Sequence, residues 1–228
     1  MKLILASDIH ANLPALEAFF SYLKENELDG QPVFFLGDYI NLGPFPEETI
    51  SLLRSYPAKV FLAGNHDRYV INEHALDHNP YFGSHEGVLH SRWTRSQLSP
   101  ENLAWLRALK IRFQADAGSF HLDMIHGRHG SDEETLDADS IDSSRNILYI
   151  CGHTHVPRNQ TVGKARILNP GSLGKPLDSD SRASFGIVHI TEERADFEVV
   201  RIPYDIDRTV DALLERVVGL GLRHADRG

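Results

Sequence analysis

The chain has 228 residues, 41% hydrophobic and 24% charged, with a formal net charge of −9 at pH 7, and this size and composition predict one globular domain spanning residues 1–228. The acidic balance argues against a stable complex with nucleic acid, because such proteins need a basic surface to neutralise phosphates. Since the apolar run at residues 2–7 is too short for a signal peptide and no run approaches the roughly 18 apolar residues of a membrane span, we expect a cytoplasmic protein that does not bind membranes.

The N-terminal part of the chain alternates short apolar runs with helical periodicity. Strands are predicted at residues 2–7, 33–37 and 58–64, and helices at residues 12–26 and 44–56. Pro14 and Pro46 fall in the first turns of the two helices, where proline is tolerated. Strands that alternate with helices of this length indicate parallel pairing in an α/β fold.

The middle of the chain, at about residues 68–110, has a helical pattern that we interpret as a segment on the substrate side, with Ser99 as one N-cap. Six apolar runs follow and predict a second sheet, at residues 110–116, 119–127, 147–152, 165–170, 184–190 and 196–202. The acidic segment 131–146 is predicted to be a solvated loop, and the tail from about residue 205 a surface helix with a basic end. We therefore expect two facing sheets with helices outside them.

Polar side chains follow five of the predicted strands at the point where each strand ends. They occur in the sequences SDIH, LGDY, AGNHD, MIHG and CGHTH. Because ligands of α/β sheets bind outside the carboxyl ends of the strands, these groups are expected to meet in one crevice. The candidate metal ligands are Asp8, His10, Asp38, Asn65, His126, His153 and His155.

This set of seven side chains is larger than one ion needs. A tetrahedral zinc site takes about four ligands, whereas two ions that share a carboxylate and a water need about this number. The single Cys151 excludes an intrachain disulfide and a cysteine-rich zinc site, and we interpret it as a small buried hydrophobic residue. We expect two divalent metal ions, with manganese ahead of iron, zinc, nickel and cobalt.

Such a centre would supply the positive charge that the acidic chain otherwise lacks. Two divalent ions contribute +4, Asp8 and Asp38 remove two charges, and a bridging hydroxide removes one, which leaves about +1. A small anionic phosphate ester could bind there despite the net charge of the chain.

The ordered motifs SDIH, GDYINLG, GNHD, IHG and CGHTH resemble those of the calcineurin-like metallophosphoesterase superfamily. The sequences NLGPFP, NPGSLGKP and RASFGIV are similar to its small prokaryotic branch of phosphodiesterase and diadenosine-tetraphosphatase-related proteins. The resemblance implies a four-layer α/β sandwich with a dinuclear metal centre. It also distributes the ligands between the two ions. Asp8, His10 and His155 would hold one metal, Asn65, His126 and His153 would hold the other, and Asp38 would bridge them.

The second motif departs from that of the family's protein serine/threonine phosphatases. Those enzymes continue it as GD-x-V-D-R-G, whereas this chain has Asn41 and Leu42 in place of that Asp and Arg. The missing arginine counts against a protein phosphatase. The GNHD motif keeps His66, the candidate catalytic acid that would protonate the departing alkoxide while the bridging hydroxide attacks phosphorus. A diester leaves a poor alkoxide that needs this proton, so we predict a phosphodiesterase.

Two alternatives stay open. A dinucleoside-polyphosphate hydrolase or a phosphomonoesterase would differ only in the pocket formed by the helical segment at about 68–110. A non-catalytic scaffold of the same fold would bind a partner protein. The intact ligand set and His66 argue against a scaffold.

Further polar residues lie outside the ligand set. His74 and His78 have i, i+4 spacing, and we interpret them as the solvated face of a helix because no carboxylate motif accompanies them. The sequence assigns no role to His129. Asn169 and Ser172, in the NPGS sequence, either form a simple turn or support the metal loops, as the resemblance implies.

Overall fold

The computed structural model describes residues 1–77, 79–80 and 82–218, which form two five-stranded sheets with helices. The strands are β1 (Lys2–Ala6), β2 (Val33–Phe35), β3 (Val60–Phe61), β4 (Arg112–Ala117), β5 (Phe120–Ile125), β6 (Ile147–Ile150), β7 (Arg158–Val162), β8 (Ala165–Asn169), β9 (Ala183–Ile190) and β10 (Ala195–Ile202). The α-helices are α1 (Leu13–Glu25), α2 (Pro46–Ser55), α3 (Asn65–Ile71), α4 (His85–Ser96), α5 (Pro100–Arg107) and α6 (Ile206–Leu213). Within the described part of the chain, no helix combines the length and apolar character needed to cross a bilayer.

The first sheet has the strand order β10-β9-β1-β2-β3. Strands β1, β2 and β3 are parallel, as the alternation of strands and helices predicts. Helix α1 starts where the Asn12 side chain accepts a hydrogen bond from the backbone N–H of Ala15, at 3.2 Å. The apolar faces of α1 and α2 pack on this sheet, with Phe19 and Ile50 in one buried cluster with Phe35 of β2.

The second sheet has the strand order β4-β5-β6-β8-β7, with β5, β6 and β8 parallel. Its inner face packs on the first sheet through a buried cluster that joins Leu5 and Phe34 to Met124 and Ile150. Its outer face is covered by the acidic segment 131–146, which contributes Leu136 to a third buried cluster. That segment has one short 3-10 turn, at Ala138–Ser140, so its prediction as a loop is confirmed. The predicted α/β sandwich is also confirmed.

The positions of the strands were predicted better than their pairing in the two sheets. We expected β9 and β10 in the second sheet, but β9 pairs antiparallel with β1, and β10 pairs with β9. A sequence pattern identifies a strand but not its partner, because the partner is set by contacts distant along the chain. Strand β7, with the mostly polar sequence RNQTV, was missed because an edge strand buries little apolar surface. Strand β3 is two residues long, shorter than the predicted 58–64.

The segment predicted to be helical at about 68–110 contains α4 and α5, and α3 begins just before it, at Asn65. Ser99 caps α5 as predicted, because its hydroxyl accepts a hydrogen bond from the backbone N–H of Asn102 at 3.3 Å. Trp105 and Leu106 pack against the core of the first sheet. The surface helix predicted from about residue 205 is α6, while the basic end of the tail, at residues 219–228, lies outside the described residues.

Candidate metal centre

All seven predicted ligands meet at the ends of the strands and at the start of α3. One side-chain atom each from Asp8, His10, Asp38 and His155 lies within 4.8 Å of the others, and all four residues are buried. Of the remaining three, His126 contacts Asp38, and Asn65 and His153 join through the amide oxygen of Asn65. The predicted convergence of strand ends is therefore confirmed.

The first group of atoms consists of ring nitrogens of His10 and His155 and a carboxylate oxygen of Asp8. The two Nε2 atoms lie 3.0 Å apart, and Asp8 Oδ1 is 3.4 Å from His155 Nε2. The His155 ring donates from Nδ1 to the carbonyl oxygen of Lys175 at 2.6 Å. This hydrogen bond fixes the tautomer, so the lone pair of Nε2 faces His10 and Asp8.

The second group of atoms surrounds the amide oxygen of Asn65. This oxygen lies 3.1 Å from His126 Nε2 and 3.1 Å from His153 Nδ1. The His126 ring donates from Nδ1 to the carbonyl oxygen of Leu36 at 2.8 Å, which again directs Nε2 into the site. In both groups, therefore, imidazole nitrogens and side-chain oxygens lie close together and face one another.

Asp38 lies between the two groups. Its Oδ2 atom is 3.8 Å from His10 Nε2 in the first group and 3.2 Å from His126 Nε2 in the second. Its Oδ1 atom accepts a hydrogen bond from the backbone N–H of His66 at 2.8 Å. One carboxylate oxygen is therefore shared by the groups, while the other is tied to the backbone.

The charges of these buried groups act strongly on one another. Burial opposes ionisation of Asp38, but the neighbouring rings of His126, His66 and His10 outweigh it and hold the pKa of this carboxyl well below its usual range. Burial disfavours the charged form of His126, yet Asp38 and Asp8 raise its pKa to about 10. Burial and the adjacent His155 lower the pKa of His10.

Two side-chain atoms of the site have no hydrogen-bond partner although they are buried. They are Asp8 Oδ2 and His10 Nδ1. Burying an unsatisfied carboxylate oxygen is costly unless a cation compensates for it. Oxygen and imidazole nitrogen donors suit divalent transition metals, so the residues present fit the two ions predicted from the sequence.

The backbone at these positions is strained. Five of the candidate ligands have positive φ angles, namely Asp8 (55°), His10 (51°), Asp38 (58°), His153 (69°) and His155 (60°). Residues other than glycine rarely adopt this region, and such strain collects at functional sites.

Two glycines allow the loops to approach closely. A Cβ at Gly64 would lie 2.1 Å from Asp38 Oδ1, and a Cβ at Gly152 would lie 2.0 Å from Ser7 Oγ.

Asp67 supports the site but was not identified from the sequence. Its buried carboxylate accepts three backbone hydrogen bonds of 2.9 Å, from Asp38, Tyr39 and Gly64. The bond from the N–H of Gly64, the N-cap residue, satisfies a backbone donor at the start of α3, and the bonds from Asp38 and Tyr39 fix the loop after β2. The sequence signal that could have identified Asp67 is its position three residues after Gly64, where an acidic side chain can accept a hydrogen bond from the start of a helix.

Asn169 and Ser172 support two metal loops, as the resemblance implied. The amide of Asn169 donates to the carbonyl oxygen of Gly152 at 2.6 Å, next to His153. The hydroxyl of Ser172 donates to the carbonyl oxygen of Asp8 at 2.6 Å. Both residues therefore do more than form a turn.

His66 stands beside the two groups. Its ring packs edge-on against that of His10, with centroids 4.9 Å apart, and against that of Phe82, with centroids 4.8 Å apart. Burial lowers the pKa of His66 to about 4. Asn41 Nδ2 lies 3.2 Å from His66 Nδ1, so the residue that replaces the phosphatase Asp contacts this ring.

Three other residues singled out in the sequence are Cys151, His129 and His74. Cys151 is buried, and burial raises the pKa of its thiol to about 12, so it is a hydrophobic residue as predicted. His129 pairs with Asp123 at 3.1 Å. His74 is highly exposed and pairs with Asp77 at 3.1 Å, whereas His78 lies outside the described residues, so the solvated helix face formed by the two histidines stays a prediction.

The chain is similar in sequence to a known protein family and to several individual proteins. The family model of the calcineurin-like phosphoesterase superfamily domain matches residues 1–193. The uncharacterized protein MJ0912 of Methanocaldococcus jannaschii is 30% identical, over 92% of this chain and 90% of that protein. The phosphodiesterase YfcE of Escherichia coli K12 is 27% identical, over 82% of this chain and 87% of that protein.

A crystal structure of a metallophosphoesterase from Sphaerobacter thermophilus superposes with a TM-score of 0.70 at 29% identity, and the match covers 94% of this chain and 93% of that one. The family model spans the segments that carry the five motifs, and these matches confirm the predicted phosphoric-ester hydrolase class. The chain therefore belongs to the calcineurin-like phosphoesterase superfamily.

Proposed function

We propose that the chain is a metal-dependent phosphodiesterase, a single domain at residues 1–228 that acts on small phosphate esters. The observation that carries the proposal is the placement of Asp38, whose Oδ2 atom faces both groups of candidate ligands, with the ring of His66 beside them. The 27% identity to the phosphodiesterase YfcE supports a diester over other phosphate esters.

The ligand assignment follows the two groups of atoms. Asp8, His10 and His155 would hold one ion, Asn65, His126 and His153 would hold the other, and Asp38 would be shared between them. When bound, two divalent ions supply Lewis-acid charge to the phosphate and make a nucleophile of water at neutral pH. Manganese is our first choice because the donors are oxygen and imidazole nitrogen without a thiolate, and iron, zinc, nickel and cobalt also suit this set.

His66 has the catalytic role in this proposal. It is adjacent to Asn65 in sequence, and its ring lies 4.9 Å from that of His10. We assign to it the donation of a ring proton toward the departing alkoxide. Leu42 stands in place of the phosphatase arginine, so the positive charge for the phosphate comes from the centre itself.

The partners and location belong to the same proposal. We expect no stable binding of nucleic acid, because the net charge is −9. We also expect no membrane binding, and we place the protein in the cytoplasm, where the unpaired thiol of Cys151 stays reduced. Cell fractionation with an antibody against the chain tests the location.

The decisive experiment is a substrate screen of the purified protein after chelation and after reloading with each metal. Diesters, monoesters and dinucleoside polyphosphates are compared by kcat/KM, with His74→Asn as the control for His66→Asn, since His74 is an exposed histidine away from the site. We expect manganese-dependent hydrolysis that is fastest on diesters. Preference for dinucleoside polyphosphates or monoesters would support the alternative enzymes, and no hydrolysis with both metals bound would support a scaffold.

A further inference from the structure

Helix α4 buries an unusual set of side chains. Its buried residues are Gly87, Ser91 and Thr94, none of which is a large apolar residue. Polar groups are costly to bury unless they are hydrogen-bonded. Both hydroxyls contact the same residue, Asn41, whose Nδ2 donates to Ser91 Oγ at 2.9 Å and whose Oδ1 accepts from Thr94 Oγ1 at 3.4 Å. This face of α4 is thus matched to one fully buried amide.

The same helix also fixes the backbone next to that amide. The N–H of Leu42 donates to His90 Nε2 at 2.8 Å and lies 3.2 Å from Asn41 Oδ1. Asn41 and Leu42 both have positive φ angles, 71° and 69°. Two adjacent residues in this region persist only when their surroundings hold them. Helix α4 provides that support through His90, Ser91 and Thr94.

These contacts determine which way the Asn41 amide points. A backbone N–H can only donate, so the amide atom that faces the N–H of Leu42 is the oxygen. The amide nitrogen therefore faces Ser91 Oγ and His66 Nδ1. Because the amide nitrogen is a donor, His66 Nδ1 is an acceptor, and the proton of the neutral imidazole is on Nε2.

We propose that helix α4 is a positioning element for His66, acting through Ser91 and Asn41 to hold the ring with Nδ1 as acceptor and Nε2 protonated. The inference rests on the proposed function in that His66 is the donor to the leaving group: Nε2–H gives its proton to the departing alkoxide, and the ring then takes a proton from water and returns to the same neutral tautomer. Nδ1 is occupied by Asn41, so Nε2–H is the group left to face the substrate. The helical segment at about 68–110, which we predicted on the substrate side, selects the tautomer of the catalytic ring in this proposal.

Nitrogen NMR of the histidine rings tests the tautomer without any activity measurement. The protein is labelled with ¹⁵N-histidine and loaded with zinc, which is diamagnetic, and the His66→Gln variant assigns the His66 signals. We expect a protonated Nε2 and an unprotonated Nδ1. In Asn41→Asp, which has nearly the same shape, the new carboxylate accepts a hydrogen bond, so the proton should move to Nδ1.

Kinetics of two serine variants of α4 test the positioning. Ser91→Ala removes the anchor of Asn41, and we expect kcat on a diester to fall about two- to tenfold, with KM and metal content unchanged. Ser96→Ala is the matched control, since among the described residues the hydroxyl of Ser96 hydrogen-bonds with Trp93 and Gln97 at the exposed end of the helix. It should equal the wild type.

Either of two results would overturn the proposal. One is a protonated Nδ1 in the wild type, and the other is a Ser91→Ala variant with unchanged kcat and unchanged His66 signals. Full turnover by His66→Gln would contradict the proposed donor role instead, and the ring signals would still report whether Asn41 selects the tautomer. Failure of one idea is therefore distinguishable from failure of the other.

Discussion

Replacement of Asp67 by Asn tests how much the loops of the site depend on one carboxylate. Asp67 Oδ2 accepts from the backbone N–H groups of Asp38 and Gly64, and Oδ1 accepts from that of Tyr39. An asparagine can keep its oxygen toward the first two, but its NH₂ then faces the N–H of Tyr39. At pH 8, where Asp67 is ionised although burial and Asp38 raise its pKa to about 7, one charge-assisted bond is lost, and two become neutral bonds.

The magnitude follows from these three bonds. A bond to a charged group contributes about 1.5–3 kcal/mol and a neutral one about 0.5–1.5 kcal/mol. Removal of a buried charge near Asp38 offsets part of the loss, so we expect the free energy of unfolding of Asp67→Asn to fall by about 2–4 kcal/mol. For a chain of this size the melting temperature would fall by roughly 5–15 °C.

The assay is urea unfolding in the presence of chelator, so that metal binding does not contribute. Asp142→Asn is the control, because Asp142 also accepts a backbone N–H, from Ser144 at 2.9 Å, but at an exposed position. It should unfold at the same urea concentration as the wild type. If the stability of metal-free Asp67→Asn were also unchanged, the three hydrogen bonds would not carry the assigned energy, and the account of this loop would be wrong.

Four further predictions concern the centre. Asp38→Ala should lose both metals and all activity, whereas His155→Ala should mainly weaken one ion; metal analysis that finds two tightly held equivalents in Asp38→Ala would refute the bridging role. His66→Asn should keep both metals and lose about 10²- to 10⁴-fold in kcat on a diester but less on an activated aryl ester, and equal losses on the two substrates would show that the ring only binds phosphate. Gly64→Ala places a Cβ 2.1 Å from Asp38 Oδ1 and should weaken metal binding in a calorimetric titration, while Gly30→Ala, with open space around it, should not. Chelation should abolish hydrolysis, and manganese should restore it in a continuous assay.

The sequence alone was sufficient to identify the candidate ligands because each of them lies at or shortly after the end of a recognisable strand. A strand that ends in an aspartate or a histidine is recognisable from a few residues, and five such ends in order predicted the family and all seven side chains that meet at the centre. Helix starts were also local: Ser99 caps α5 by contacting a residue three positions away. Such features depend on neighbours along the chain, so the order of residues is enough to reveal them.

Only the tertiary structure decided which distant groups are partners. It placed β9 beside β1 rather than in the second sheet, and it joined Asp67 to the loop after β2. It also showed that Ser91 lies against Asn41, fifty residues earlier in the chain. In each case nothing in the local sequence marks the partner, because the pairing comes from the packing of helices and strands against one another. Hydrogen bonds over such separations form only after the chain has folded, because loop closure and burial bring the groups together.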